Sequence, residues 1–301
     1  MFKNVIVGVD ARQGGRDAIA LAKQLVAQDG ELAFAYVYRS DRMPVRGSSG
    51  AFEASERQRG LDLLSTARVE SNVQAKLLAA GSPSVGRGLH ELADRENADL
   101  LVVGSTRHGL IGRVLIGDDT RAALGGAPCA IAIAPAGYAE RPSTLSEIGV
   151  GFNESAESEH ALSVARLLAA EHGARVSAFE AVSLPGYLLS GAAAPAAAPI
   201  GDAIVDLVAD ALRRIAALGG VEPHAAYGVP GEELALYGAA VDLLIIGSRS
   251  YGPIGRIVHG SVSAHLARTA RCPLLVLTRG ARERFASDER KPAPEATTAL
   301  T

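Results

Sequence analysis

Between Asp242 and Leu277 the chain reads DLLIIGSRSYGPIGRIVHGSVSAHLARTARCPLLVL, with its small and polar residues gathered between two apolar runs. Gly247, Gly252, Gly255 and Gly260 let the backbone approach a ligand without a Cβ in the way. A helix opening at Gly260-Ser261 would aim free N–H groups and its positive dipole end at the same point, which is chemistry for holding an anion, most simply a phosphate. Two strands must position this loop. Leu243 to Ile246 and Leu274 to Leu277 are short and unbroken in their apolarity, as strands of a parallel sheet covered on both faces are.

The same module is written earlier in the chain. Asp10 and Asn153, Gly30 and Gly173, Gly104 and Gly247, Gly117 and Gly260, and Cys129 and Cys272 are all separated by one offset, 153 − 10 = 143 positions. A constant offset means duplication. It is densest where GLIGRVLIGD (Gly109 to Asp118) meets GPIGRIVHGS (Gly252 to Ser261). In the first copy VIVGVD is a strand ending at Asp10. A helix follows from Gly15 to Gln28, with Ala18, Ala22, Leu25 and Val26 on its apolar face and Gly30 as its stop. Next come a strand Glu31 to Tyr38, a helix from Ala51 to Val69, a strand Val73 to Ala79, a helix opening at Ser82-Pro83-Ser84, a strand Asp99 to Gly104, a short helix near Gly117, and a strand Cys129 to Pro135. The second copy repeats this: strand Ile148 to Phe152, helix Ser155 to His172, strand Arg175 to Val182, helix Asp202 to Leu218, strand Glu222 to Tyr227, and a short helix from Gly231. Strands alternating with helices predict α/β architecture, two doubly wound five-stranded parallel sheets in tandem, Rossmann-like. The domains are read as 1–138 and 148–279, joined by a polar linker 139–147 and followed by a disordered tail 280–301. The Ala/Pro-rich stretch Ser183 to Gly201 is expected to be a mobile loop.

Bulk properties narrow the function. The 301 residues are 48% hydrophobic and 21% charged, the composition of a globular protein, and the net charge of −3 offers nothing to a nucleic acid. Cys129 and Cys272 show no metal-ligand spacing and are expected as small buried hydrophobes. No signal-type or membrane-spanning run is apparent, so the expectation is a cytoplasmic protein without a membrane partner. His259 and His265 do not share a helix face, and no histidine is assigned to a metal or to catalysis.

In an open parallel sheet ligands bind beyond the carboxyl ends of the strands, where strand order reverses. The second copy delivers Asn153, Ala181, the Gly247 loop and Gly260-Ser261-Val262 to that edge, and the first delivers Asp10, Val37, Gly104 and Gly117. A carboxylate or amide after the first strand could hold a ribose or a base edge, and a backbone strand end could read the polar rim of adenine. The bland alternative is that the glycines serve tight turns and close helix packing. A Walker A loop is absent, because Leu110-Ile111 and Pro253-Ile254 stand where Lys-Ser/Thr would be needed, and G-x-G-x-x-G is missing after both first strands.

The loop closely resembles that of the universal stress protein family, whose ATP-binding members carry G-x2-G-x9-G-(S/T) across this junction. Copy two has Gly247, Ser250 at the second glycine, then Gly260-Ser261, with Asn153 at the family's aspartate. Copy one keeps Asp10 but has Gly104, Arg107, then Gly117-Asp118. The likeness extends to the first strand VGVD, to Ala80 to Ser105, and to Val229 to Ser248. A carboxylate at a helix start satisfies the dipole and repels phosphate, whereas Ser261 can donate, so the resemblance favours Asn153, Ala181, Gly247, Ser250, Gly260, Ser261 and Val262 as the nucleotide site. Asp10, Val37, Gly104 and Gly117 form the weaker one. Arg113 and Arg256 could steer phosphates or simply be solvated.

The resemblance implies a stress-response regulator that binds adenine nucleotide: ATP with accompanying Mg2+, or AMP or a cyclic nucleotide. It also implies that CAIAIAP and PLLVLT pair the two copies into a pseudo-dimer, which could associate further as a homodimer or with a protein partner. No activated nucleophile or base is visible, so no enzyme activity is expected. Two alternatives stay open. One is an interaction or lipid-binding scaffold with degenerate pockets. The other is an ATP pyrophosphatase-type enzyme, since Gln13-Gly14-Gly15-Arg16-Asp17-Ala18 is faintly similar to that group's S-G-G-x-D-S loop.

Overall fold

The computed structural model describes residues 2–10, 13–40, 49–105, 125–183, 200–248 and 261–277. The N-terminal half runs β1 (Phe2–Gly8), α1 (Gln13–Leu25), β2 (Val26–Arg39), α2 (Ser49–Ser71), β3 (Lys76–Ser82), α3 (Val85–Arg95), β4 (Leu100–Gly104) and β5 (Ala130–Ala134). The C-terminal half runs β6 (Glu147–Gly151), α4 (Ala156–His172), β7 (Arg175–Val182), α5 (Ile200–Ala216), β8 (Glu222–Tyr227), α6 (Pro230–Tyr237), β9 (Leu243–Gly247), α7 (Ser261–Thr269) and β10 (Leu274–Leu277).

These strands make one sheet in the order β3-β2-β1-β4-β5-β10-β9-β6-β7-β8. Each half is parallel within itself, with Gly8 opposite Ala35 and Val7 opposite Val102 in the first, and Gly151 opposite Phe179 and Val150 opposite Ile245 in the second. The halves join where β5 and β10 pair antiparallel, Leu275 opposite Ala132. The two five-stranded units read from the sequence are thus halves of a single ten-stranded sheet. Chain order reverses between β1 and β4, and again between β6 and β9, which gives two switch points.

The apolar runs form the middle strands because both of their faces are covered. One core layer takes Val7, Phe34, Val102, Ile148, Ile245 and Leu275 against α1 and α4, and the other takes Ile6, Leu101, Ile133, Leu244 and Val276 against α3, α6 and α7. Each layer crosses the junction between the halves. A fully buried Leu or Ile contributes about 1.5–3 kcal/mol, against roughly 0–1 kcal/mol for an exposed ion pair such as Arg87–Glu91. The interior therefore decides the fold.

One helix boundary differs instructively from expectation. α1 ends at Leu25, and β2 starts at Val26, which faces Phe2 across a bulged stretch of β1 instead of lying on the helix. Gly30 is inside β2 and stops no helix; a Cβ there would press on Phe2 O at 3.0 Å. Its counterpart Gly173 does end α4, at φ 66° with its N–H bonded to Ala169 O. Ser84 and Ser155 cap α3 and α4 by accepting from the N–H of Arg87 and Ser158.

The connection between halves is held down along its length. Asp17, buried in α1, accepts from Gly137 N at 2.9 Å and Ala139 N at 2.8 Å, Gln24 donates to Ser143 O, and Tyr138 and Leu145 are buried. The sequence stretches Ser183 to Gly201 (largely) and 280–301 (wholly), and the short helix near Gly117, lie outside the described residues.

Candidate functional site

Each half presents three candidate residues at the carboxyl edge of its sheet. In the N-terminal half β1 feeds Asp10 past Val9, whose N–H bonds to Ala35 O at 2.9 Å, while Val37 and Gly104 come from the ends of the flanking strands β2 and β4. In the C-terminal half β6 feeds Asn153 past Phe152, whose N–H bonds to Phe179 O at 2.9 Å, and Ala181 and Gly247 come from β7 and β9. These matched bonds place Ala35 at the position of Phe179, hence Val37 at that of Ala181. Ser261 opens α7 exposed to solvent, and Val262 packs partly buried on the core. Gly117, Ser250 and Gly260, with Arg107, Arg113, Asp118, Arg256 and His259, lie outside the described residues.

The strand-end glycines have a packing reason of their own. A Cβ on Gly104 would collide with the carbonyl oxygen of Gly14, and one on Gly247 with that of Glu157, each in the first turn of the helix that follows the half's first strand. Bare strand ends are what bring these helix starts against β4 and β9. The following serines, Ser105 and Ser248, are buried, and their N–H groups bond to Ala134 O and Leu277 O. Ser248 Oγ has no hydrogen-bond partner among the described residues.

At their open edges the halves part. The N-terminal half holds a cavity of about 1230 Å³ whose walls include Asp10, Tyr36, Val37, Leu89, Gly104 and Ser105. It runs on between α1 and α2, where Arg16, Lys23 and Glu70 line it. Arg16 pairs with Glu70 at 3.0 Å, and Lys23 Nζ donates to Ser71 O at 3.3 Å. Asp10 is exposed at the mouth.

In the C-terminal half the outlet of β6 is taken up by its own turn. Asn153 Oδ1 accepts from Ser155 Oγ at 2.6 Å and from Ser155 N at 3.3 Å, and Asn153 N donates to Ser158 Oγ. Glu154 sits at φ 57°, a left-handed conformation that a non-glycine residue adopts at a cost of about 1 kcal/mol. Arg214 of α5 reaches both Glu154, at 3.2 Å, and Glu180 of β7, at 2.7 Å. The Glu180 hydrogen bond holds the Arg214 guanidinium above its ordinary pKa.

At the opposite, amino edge the halves agree again. Asp99 takes the N–H groups of Lys3 and Asn4, and Asp242 those of Ser146 and Glu147, so the carboxylate preceding β4 or β9 pins the start of β1 or β6. Burial raises the Asp99 pKa, opposed by those N–H groups.

Sequence reasoning missed Tyr36, Glu180 and Arg214. Tyr36 and Glu180 are counterparts one residue before Val37 and Ala181, but the offset of 143 lays Tyr36 on Phe179, and only the strand register, one residue on, sets an aromatic ring in one half against a carboxylate in the other. Of the pyrophosphatase-like stretch, Gln13 to Arg16 line the cavity, while Asp17 is engaged with Gly137 and Ala139.

The model of the Universal stress protein family matches residues 1–135 and 145–278. Among solved structures, a universal stress protein from Archaeoglobus fulgidus matches at TM-score 0.65 and 16% identity over 92% of this chain and 98% of its own. A universal stress protein, described as putative, from Pseudomonas aeruginosa matches at TM-score 0.63 and 16% identity over 96% and 98%. No curated protein matches. No helix among the described residues is long and apolar enough to cross a membrane. With the family matched twice along its length and the same strand order in each half, the chain belongs to the universal stress protein family as a tandem of two copies.

Proposed function

We propose that this protein is an adenine-nucleotide-binding regulator of the stress response, with ATP as its favoured ligand, which acts through conformation or a protein partner and not through turnover. The observation that carries this reading is the cavity at the β1/β4 switch point, where Asp10, Val37 and Gly104 meet. An exposed carboxylate suits ribose hydroxyls, which donate to it. The main chain at Val37 offers the donor and acceptor that an adenine edge requires. Gly104 keeps the floor free of a side chain. Mg2+ would enter with the triphosphate. AMP or a cyclic nucleotide would use the same base and ribose contacts, and Gly247 with Ser261 provides a second candidate site in the other half.

Isothermal titration of the full chain with ATP and Mg2+ tests the proposal, with saturable binding at micromolar to millimolar nucleotide expected. No heat of binding up to several millimolar would leave an interaction or lipid-binding scaffold as the better reading. Sustained release of AMP and pyrophosphate would make the protein an enzyme.

A further inference from the structure

We infer that the C-terminal crevice is clasped shut by the chain's own side chains, so that each polypeptide takes one nucleotide and takes it in the N-terminal half. The inference rests on the nucleotide-binding reading and adds to it a stoichiometry, a location and a cause.

The cause is Arg214. Its Nη2 donates to Glu180 Oε1 at 2.7 Å, and its Nε lies 3.2 Å from Glu154 Oε2. One guanidinium thereby hydrogen-bonds the crossover helix α5 to β7 and forms an ion pair with the turn leaving β6, the elements between which a ligand at that edge would have to settle. Glu180 is well covered, its side chain 12% exposed. Entry of a ligand would require this pair to be broken and Glu180 left uncompensated.

Among the described residues, the N-terminal half has no such clasp at the corresponding strand position. There β2 places Tyr36 where β7 places Glu180, and α2 contributes Leu63 and Ala67 to an open wall. The sequence alone, by the Gly260-Ser261 helix start, favours the opposite half. A helix start without access to its crevice cannot be used.

The test is the number of ATP molecules bound per chain, by titration calorimetry and equilibrium dialysis of the full-length protein with ATP and Mg2+. Wild type should bind one, and Asp10→Ala should weaken that binding by about tenfold or more, the usual effect of losing a charged hydrogen-bond partner. Glu180→Ala/Arg214→Ala removes both ends of that pair and should add a second saturable site. Two ATP per wild-type chain, undiminished affinity in Asp10→Ala, or a folded double variant still binding one would each overturn the inference and leave nucleotide binding standing. Should the double variant fail to fold by circular dichroism, the wild-type stoichiometry and Asp10→Ala decide the matter alone. Absence of any saturable binding to wild type would instead overturn the nucleotide reading itself.

Discussion

The two halves share strand order, registers, amino-edge aspartates and strand-end glycines, yet they treat the outlet of the first strand differently. In one half Asp10 stands exposed beside a cavity. In the other Asn153 turns back onto Ser155, and Glu154 is drawn to Arg214. What is common to both serves to hold a sheet together. What differs lies at the carboxyl edges, where the interior does not dictate residue type. Duplication can thus preserve a scaffold by packing while its two carboxyl edges diverge.

The largest expected effect tests the common part. Gly104→Val and Gly247→Val drive a side chain into a helix backbone, Gly14 or Glu157, which cannot give way as a flexible side chain can. Each should cost about 1–3 kcal/mol or more in urea unfolding, and equal losses in the two halves would mark the glycines as packing devices first. Next, Asp99→Ala and Asp242→Ala each strip two N–H groups of their acceptor. Each should cost about 1–3 kcal/mol, and a loss in one half alone would break the equivalence of the amino edges. Asn153→Ala removes the acceptor that holds Ser155, the cap of α4, and should cost about 0.5–2 kcal/mol of stability.

A pH effect sharpens the comparison at the junction. Burial pushes the Cys272 thiol up from an ordinary 9.0 to about 12. Because the folded value lies above the unfolded one, its contribution to stability is complete below pH 9 and is lost as pH rises through about 12. Alkaline unfolding should therefore begin earlier for wild type than for Cys272→Ala, and iodoacetamide should leave Cys272 unmodified in the native state at pH 8. The smallest effect belongs to the surface. Arg87→Ala breaks an exposed pair with Glu91 and should change stability by no more than about 0.5 kcal/mol.

Much of the fold was legible because the middle strands carry their burial openly. LLVV, AIAIA, LLII and LLVL cannot be exposed, and Arg175–Val182, Glu222–Tyr227 and Leu274–Leu277 fall on the expected residues. Boundaries near Gly30 were misread because glycine signals a close approach as readily as a helix stop, and only the neighbouring Phe2 backbone tells which. The candidate positions Asp10, Val37, Gly104, Asn153, Ala181 and Gly247 were legible as a set from the duplication, since each follows or ends a strand. Their environments were not, because Arg214 meets Glu180 across 34 residues and Glu154 across 60, separations at which spacing carries no information.

By itself the sequence determined that there are two copies, which runs must be buried, and which residues reach the carboxyl edges, because apolar periodicity and a fixed offset are local properties of the chain. The tertiary structure bore out the pairing of β5 with β10 that the family resemblance implied, and it alone decided that this makes one ten-stranded sheet, that Asp17 holds the connection, and that one edge carries a cavity while an arginine bridges two glutamates at the other. Those outcomes depend on which distant side chains arrive within a few ångströms of each other, and that is set by packing.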